Sequence, residues 1–180
     1  MAQIEDGKGS GNRAQVNKEN QLIVAAIVEK AIEHESEENG QAYNWSTDIV
    51  DAAAADATIL LLKNTSDTPL HIENIKISNG LTPSEYTIHI PTSEVTVGGG
   101  ATITGTNLNT TSSNVADASA QSNETGNVQG NVIGTVFLAI DRDAVFETPG
   151  LILGKNISVG VDVVADATEC AVTITGHYAD

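Results

Sequence analysis

Histidine, cysteine and acidic residues are the side chains in this sequence that metal binding or proton transfer would use. The histidines are His34, His71, His89 and His177. His71 and His89 fall in two successive alternating segments, which predict neighbouring strands, so a metal-binding pair is conceivable. Zinc would require a third or fourth ligand. We therefore expect two surface histidines that face apart, and no metal centre.

The single cysteine, Cys170, excludes an internal disulfide framework. It stands between Glu169 and Ala171 in an alternating run, which predicts a small buried strand residue. No cationic residue lies beside it in the sequence to activate the thiol as a nucleophile.

An acidic cluster, Asp141-Arg142-Asp143, follows a predicted strand and offers oxygen ligands for Ca²⁺. A calcium loop of the EF-hand type requires a third acid, a central glycine and a terminal glutamate, and these are missing here. We interpret the three residues as a solvated turn with an internal salt bridge.

The remaining motifs do not indicate catalysis. Gly7, Gly9 and Gly11 lack the preceding strand, the spacing and the following helix of a nucleotide-binding loop, so we interpret them as an adaptable linker. No G-x-S-x-G nucleophile motif is present. Five N-x-S/T sequences follow from the abundance of Asn and Thr. They begin at Asn44, Asn64, Asn109, Asn123 and Asn156. We predict no catalytic, cofactor-binding or metal-binding residues and no enzymatic activity.

The composition limits the classes of partner. The chain of 180 residues has eight Lys and Arg against 24 Asp and Glu, which gives a net charge of −16. Such a charge opposes binding to nucleic acid and to anionic lipid, because both need a cationic surface. The N-terminus has no signal peptide, and no apolar run approaches the roughly 18 residues of a membrane span. We expect a soluble product made in a cytoplasm.

Short segments bounded by turn residues predict that most of the chain is β-structure. Residues 57–64 form a continuous apolar run, which indicates a strand covered on both faces. Residues 70–77 alternate with one break near Asn74, as at a β-bulge. Further strands are predicted at residues 41–46, 86–90, 94–97, 101–104, 132–140, 151–153, 157–163 and 171–178. Because aromatic residues are only 3% of the chain, we expect a core of Val, Ile, Leu and Ala.

Four segments have a less regular pattern. Residues 21–33 mix a helix-like face with β-branched density, and we favour a strand because every downstream segment is β-like. An acidic turn is predicted at residues 34–40. Residues 1–20 are polar with alternating glycines, which predicts a flexible N-terminal arm. Residues 105–129 are rich in Asn, Thr, Ser and Ala, so we expect a long surface loop, or a segment at a subunit boundary, outside the core.

Together these segments predict one all-β domain over residues 21–180 that follows the arm. Roughly eight to ten short strands with turns between them are typical of an antiparallel β-sandwich or jelly roll.

The N-terminal arm has a sequence of its own, in which Gly7-x-Gly9 leads to Arg13-Ala14-Gln15-Val16-Asn17 and then to Leu22. It resembles the arm of small virion structural proteins of tailed bacteriophages, where such a segment precedes a β-domain. Residues 42–46, residues 60–64 and the closing pair His177-Tyr178 extend the resemblance over most of the chain.

This resemblance implies a non-enzymatic structural protein with no catalytic residues to transfer. We expect a capsid decoration (cement) protein in the virion, assembled in the host cytoplasm. It would bind the outside of the head through the major capsid protein, or bind another virion protein, as a homo-oligomer and by expectation a trimer. A tail, neck or head-fibre adaptor is the alternative. A carbohydrate-binding module is disfavoured, because sugar sites use exposed aromatics and this chain has one Trp, three Tyr and two Phe.

Overall fold

The computed structural model describes residues 4–5, 13–16, 22–23, 31–52, 57–95, 99–124, 130–164 and 169–179. The chain divides into two compact units, residues 1–30 and residues 31–180. In the first unit, strands β1 (Ile4–Glu5), β2 (Arg13–Val16) and β3 (Leu22–Ile23) pair in order as an antiparallel sheet. The rest of the predicted arm lies outside the described residues.

The second unit begins with helical turns and continues as strands. An α-helical turn, α1 (Ala31–His34), runs into a π-helical turn (Glu35–Asn39). The strands are β4 (Ala42–Ser46), β5 (Val50–Asp51), β6 (Ala57–Asn64), β7 (Leu70–Asn79), β8 (Ser84–Ile90), β9 (Ala101–Ile103), β10 (Thr106–Asn107), β11 (Ala118–Glu124), β12 (Asn131–Leu138), β13 (Arg142–Leu153), β14 (Ser158–Val163) and β15 (Glu169–Tyr178).

These strands form two antiparallel sheets that pack face to face. Sheet I has the order β10-β4-β15-β7-β13, with β5 also paired to β15, and sheet II has the order β12-β8-β14-β6-β11-β9. Among the described residues each sheet therefore has six strands. The predicted all-β sandwich is confirmed.

The core lies between the sheets and is built from alternate residues of the strands, as the period of two requires. In β15, Cys170, Val172 and Ile174 are buried, while the residues between them are more exposed. Seven of the eight residues of β6 are buried, six of them consecutively from Ala57 to Leu62, which confirms a strand covered on both faces.

Aromatic residues take a larger part in the core than the composition predicted. Tyr43, Trp45, Tyr86 and Tyr178 are buried. The ring of Tyr43 lies 5.8 Å from that of Trp45 and 5.9 Å from that of Tyr178, in tilted and edge-to-face arrangements. Such pairs contribute beyond their buried area, so a few large rings complete a mainly aliphatic core.

The break in the pattern of β7 is a β-bulge, as predicted. Thr175 pairs with Asn74 while the next residue, Gly176, pairs with Ile72, so Glu73 is the extra residue. The register of β13 against β7 shifts at the same place, and Thr148 donates a hydrogen bond from its hydroxyl to the carbonyl of Ile72 at 2.8 Å.

The N-terminal prediction of a strand over residues 21–33 is only partly right. Leu22–Ile23 is a strand, residues 24–30 lie outside the described part, and Ala31 begins a helix. Helix also replaces the acidic turn predicted at residues 34–40. It ends at Gly40, whose φ of 61° is the left-handed conformation that glycine adopts most readily at a helix end.

The prediction that residues 105–129 stay outside the core is wrong for residues 118–124. These form β11, which pairs with β6 on one side and β9 on the other. Ala120 and Ser122 are buried opposite Leu62 and Leu60. Small side chains therefore occupy buried positions beside large leucines on the neighbouring strand. Residues 108–117 are a loop, and residues 125–129 are not described.

Within the strand predicted at residues 94–97, Glu94 and Val95 are not β-structure, and residues 96–97 lie outside the described part. Val95 instead covers the outer face of sheet II. Its carbonyl accepts a hydrogen bond from Lys63 Nζ at 3.3 Å, and Glu94 forms a 2.8 Å ion pair with the same amine.

Candidate functional site

The two histidines expected on neighbouring strands lie in different sheets. His71 is on β7 of sheet I, and its ring stacks on that of His177 at 5.2 Å. His89 is on β8 of sheet II and is buried. The expectation of two surface histidines is therefore wrong for His89. Within the described residues no group of three or more His, Cys, Asp or Glu could hold a metal ion.

His89 belongs to a buried polar network on the outer face of sheet II. Its Nδ1 lies 3.0 Å from Asp162 Oδ2, and the Thr58 hydroxyl donates to Asp162 Oδ1 at 2.7 Å. A histidine held by a carboxylate is the arrangement that general bases use. Here the ring packs over Gly160, where a Cβ would lie 2.7 Å from Nε2, and the side chain is only 1% exposed. No substrate reaches it, so the network ties three strands together.

A second buried histidine, His177, lies on the outer face of sheet I. Its Nδ1 is 3.1 Å from Glu73 Oε1. Burial lowers the pKa of His177 below its ordinary value, the nearby charge of His71 lowers it further, and the carboxylates of Glu73 and Glu35 oppose the shift. Sequence analysis missed this cluster, because the pairing of β15 with β7, which places His177 beside His71, is not visible in the local pattern.

Cys170 is buried in β15, as predicted, and its thiol lies 3.5 Å from the carbonyl of Val50. The acidic cluster differs from the prediction of an internal salt bridge. Asp143 pairs with Lys76 on the neighbouring strand at 3.0 Å, and hydrogen bonds from Lys76 and Ser78 lower the pKa of its carboxyl group. Asp141 occupies the turn with a φ of 53°.

The feature best suited to binding a partner is the edge strand β12. It pairs with β8 on one side, and no described strand pairs with its other side. Phe137 is 74% exposed on this strand, and Val132 and Ile133 are also exposed. A long apolar edge presents unpaired backbone donors and acceptors to other chains, and natural proteins normally protect such edges.

Three other edges of the sandwich are protected in the usual ways. On the far side the edge strands β9 and β10 have three and two residues. The long edge strand β13 contains Pro149 and a register shift between Glu147 and Leu151, two features that interrupt strand addition. In contrast, β12 has no proline and no charged residue.

The sequence signal for this surface, overlooked among the motifs above, is the absence of charge. Residues 125–140 contain no acidic or basic side chain, in a chain whose net charge is −16. Strand β12 also packs against the other sheet. Phe146 of β13 packs on Gly134, where a Cβ would lie 2.6 Å from its Cζ atom. The inner face of the edge strand is therefore packed against sheet I, while its other long side is unpaired among the described strands.

Comparisons with known proteins identify no relative of this chain. No protein-family model matches the chain, and neither the curated proteins nor the solved structures contain a match. Within the described residues, no helix is long and apolar enough to cross a membrane.

Proposed function

We propose that this chain is a non-enzymatic structural protein of a phage virion, which binds the outside of the head as a decoration protein and stabilises it. The observation that carries the proposal is strand β12, an uncharged edge with Phe137 exposed. In β-augmentation a partner strand hydrogen-bonds to such an edge, and side-chain pockets provide specificity.

The occupant of the edge is an extended segment of the shell subunit, with neutral or basic flanks. Charge argues against a second copy of this chain, because pairing two β12 strands would bring together two molecules of charge −16 each. A shell segment with neutral or basic flanks avoids that repulsion, and opposite charge around an apolar contact speeds association. The resemblance of the N-terminal arm to virion proteins supports the same partner class.

The test is attachment of purified protein to heads from which the decoration layer has been stripped. Phe137→Lys is expected to abolish attachment, because it places a charge on the docking strand. Phe137 is mostly exposed, so the free energy of unfolding should change by no more than about 0.5 kcal/mol. Val145→Lys is the matched control, since Val145 is 54% exposed on the protected edge strand β13.

Retained attachment of the Phe137→Lys protein would contradict the proposal. A wild-type dimer that Phe137→Lys dissociates would identify a second copy as the occupant, and would equally overturn the assignment. Copy number on the particle separates the decoration role, with hundreds of copies expected, from a tail, neck or head-fibre adaptor with about a dozen.

A further inference from the structure

The chain contains two Asn-Gly pairs, Asn39-Gly40 and Asn79-Gly80. Asparagine is a chemically labile residue, and a following glycine favours its loss of ammonia, because a residue without Cβ lets its backbone nitrogen approach the asparagine side chain closely. That nitrogen attacks the carbonyl carbon of the side-chain amide, so both groups must be free to move towards each other. The structure holds the two pairs in very different ways.

Asn79 is held on both sides of its amide group. The residue is 4% exposed, its Nδ2 donates to the Ala139 carbonyl at 2.9 Å, and its Oδ1 accepts from the Tyr86 hydroxyl at 2.7 Å. The nitrogen that would attack is engaged as well, because the Gly80 N–H donates to the Glu169 carbonyl at 2.7 Å. Reaction at this pair therefore requires that the strand ends around it unfold.

Asn39 is exposed at the end of the π-helical turn. Its Nδ2 donates to Glu35 Oε2 at 2.6 Å in a contact that water reaches, and the Gly40 N–H donates to the Glu35 carbonyl. Side chains of Asn107 and Asn114 hold the carbonyls of Gly40 and Asn39 at 2.9 and 3.0 Å, but neither bond involves a reacting atom. Because helix ends fray at little cost, the two bonds to Glu35 can open while the sheets stay folded.

We propose that Asn39 is the site at which the folded chain deamidates. The Gly40 nitrogen gives its proton to hydroxide and forms a bond with Asn39 Cγ, and the bond between Cγ and Nδ2 then breaks. Nδ2 takes a proton from water and leaves as ammonia. Water opens the resulting succinimide ring to aspartate or isoaspartate at position 39. No electrons are transferred, and the chain gains one negative charge.

The product changes the end of the helical turn. A carboxylate at position 39 cannot donate to Glu35 Oε2, and it places a second negative charge beside that residue. Like charges four residues apart on a helix repel each other. Isoaspartate also adds one atom to the backbone directly before Gly40, whose φ of 61° ends the helix. The site lies outside β12, so it is independent of the attachment proposed above.

The test is incubation of the full chain at mildly alkaline pH, with and without urea, followed by peptide mass spectrometry and enzymatic methylation of isoaspartate. In the folded chain the rate at Asn39 should exceed the rate at Asn79 at least tenfold, because only the first pair is freed by local fraying. In urea the two rates should agree within about threefold, because both asparagines precede a glycine.

Asn39→Gln should abolish the isoaspartate that the folded chain forms. Asn131→Gln is the matched control, since Asn131 is also exposed but precedes the β-branched Val132, and it should leave the isoaspartate yield unchanged. Equal rates at the two Asn-Gly pairs of the folded chain, a faster reaction at Asn79, or no product at Asn39 would overturn the proposal.

Discussion

At the scale of single residues, the described part of the chain has two polar clusters that connect neighbouring strands, one in each sheet. Asp162 joins Thr58 and His89 across three strands of sheet II, and Glu73 contacts His177 across two strands of sheet I. A buried polar group is tolerated when its partners satisfy it, and it becomes costly when one partner is removed. These contacts therefore specify strand register as well as contributing to stability.

Replacing Asp162 tests the first contact. Asp162→Ala leaves the Thr58 hydroxyl and His89 Nδ1 buried without that partner, so we expect a loss of about 2–4 kcal/mol in the free energy of unfolding. Urea denaturation measures it. Asp143→Ala removes an exposed carboxylate from its pair with Lys76 and should leave the urea midpoint nearly unchanged. An equal effect of the two substitutions would show that burial of the Asp162 network has no energetic importance.

The pKa of His177 predicts that the free energy of unfolding depends on pH. Its pKa is lower in the folded chain than the ordinary value of 6.5, because burial disfavours the charged ring. Below about pH 6.5 the unfolded chain therefore binds more protons than the folded chain. The free energy of unfolding consequently falls as the pH falls towards the folded pKa. His177→Gln should reduce the loss of unfolding free energy between pH 7.5 and pH 5.5.

The neighbouring groups set the control for that measurement. His71, Glu73 and Glu35 all act on the His177 ring, so the His71→Gln protein should be titrated beside it. The charge of His71 lowers the pKa of His177 less than burial does, so His71→Gln should reduce the pH-dependent loss by less than His177→Gln. Identical profiles for wild type and His177→Gln would contradict the assignment.

At the scale of elements, the sequence predicted those strands whose side chains alternate or are uniformly apolar. Residues 57–64 match β6 at both ends, and the break at Asn74 located a real bulge. The sequence-based prediction failed at β11, because Ala and Ser occupy the core positions there and the hydropathy pattern does not indicate a buried strand. The two histidines were misplaced for another reason: successive strands β7 and β8 belong to different sheets, and local pattern does not determine sheet membership.

The buried position of β11 gives a direct test. Ala120→Leu adds a large side chain opposite Leu62 and Ile103, in a core without space for it, and should cost about 1–3 kcal/mol. Ala101→Leu, at an exposed position of the adjacent strand β9, is the control and should be close to neutral in the same urea titration. A neutral Ala120→Leu would indicate a surface loop after all.

At the scale of the whole molecule, the distribution of charge distinguishes the uncharged edge strand from the acidic chain as a whole. The chain has a net charge of −16, while residues 125–140, which include β12, carry no charge. An acidic surface keeps free copies soluble and apart, and the uncharged edge remains available for one apolar partner. Many copies bound to an assembled shell would stabilise it by mass action, by about 2.7 kcal/mol per site at a hundred times the dissociation constant.

The temperature at which heads release their genome tests this account most directly. It is measured on particles that carry the protein, on particles stripped of it, and on stripped particles reloaded with wild type, Phe137→Lys or Val145→Lys. We predict that stripping lowers the release temperature, and that wild type and Val145→Lys restore it while Phe137→Lys does not. Equal release temperatures with and without the protein would contradict a stabilising role in the shell.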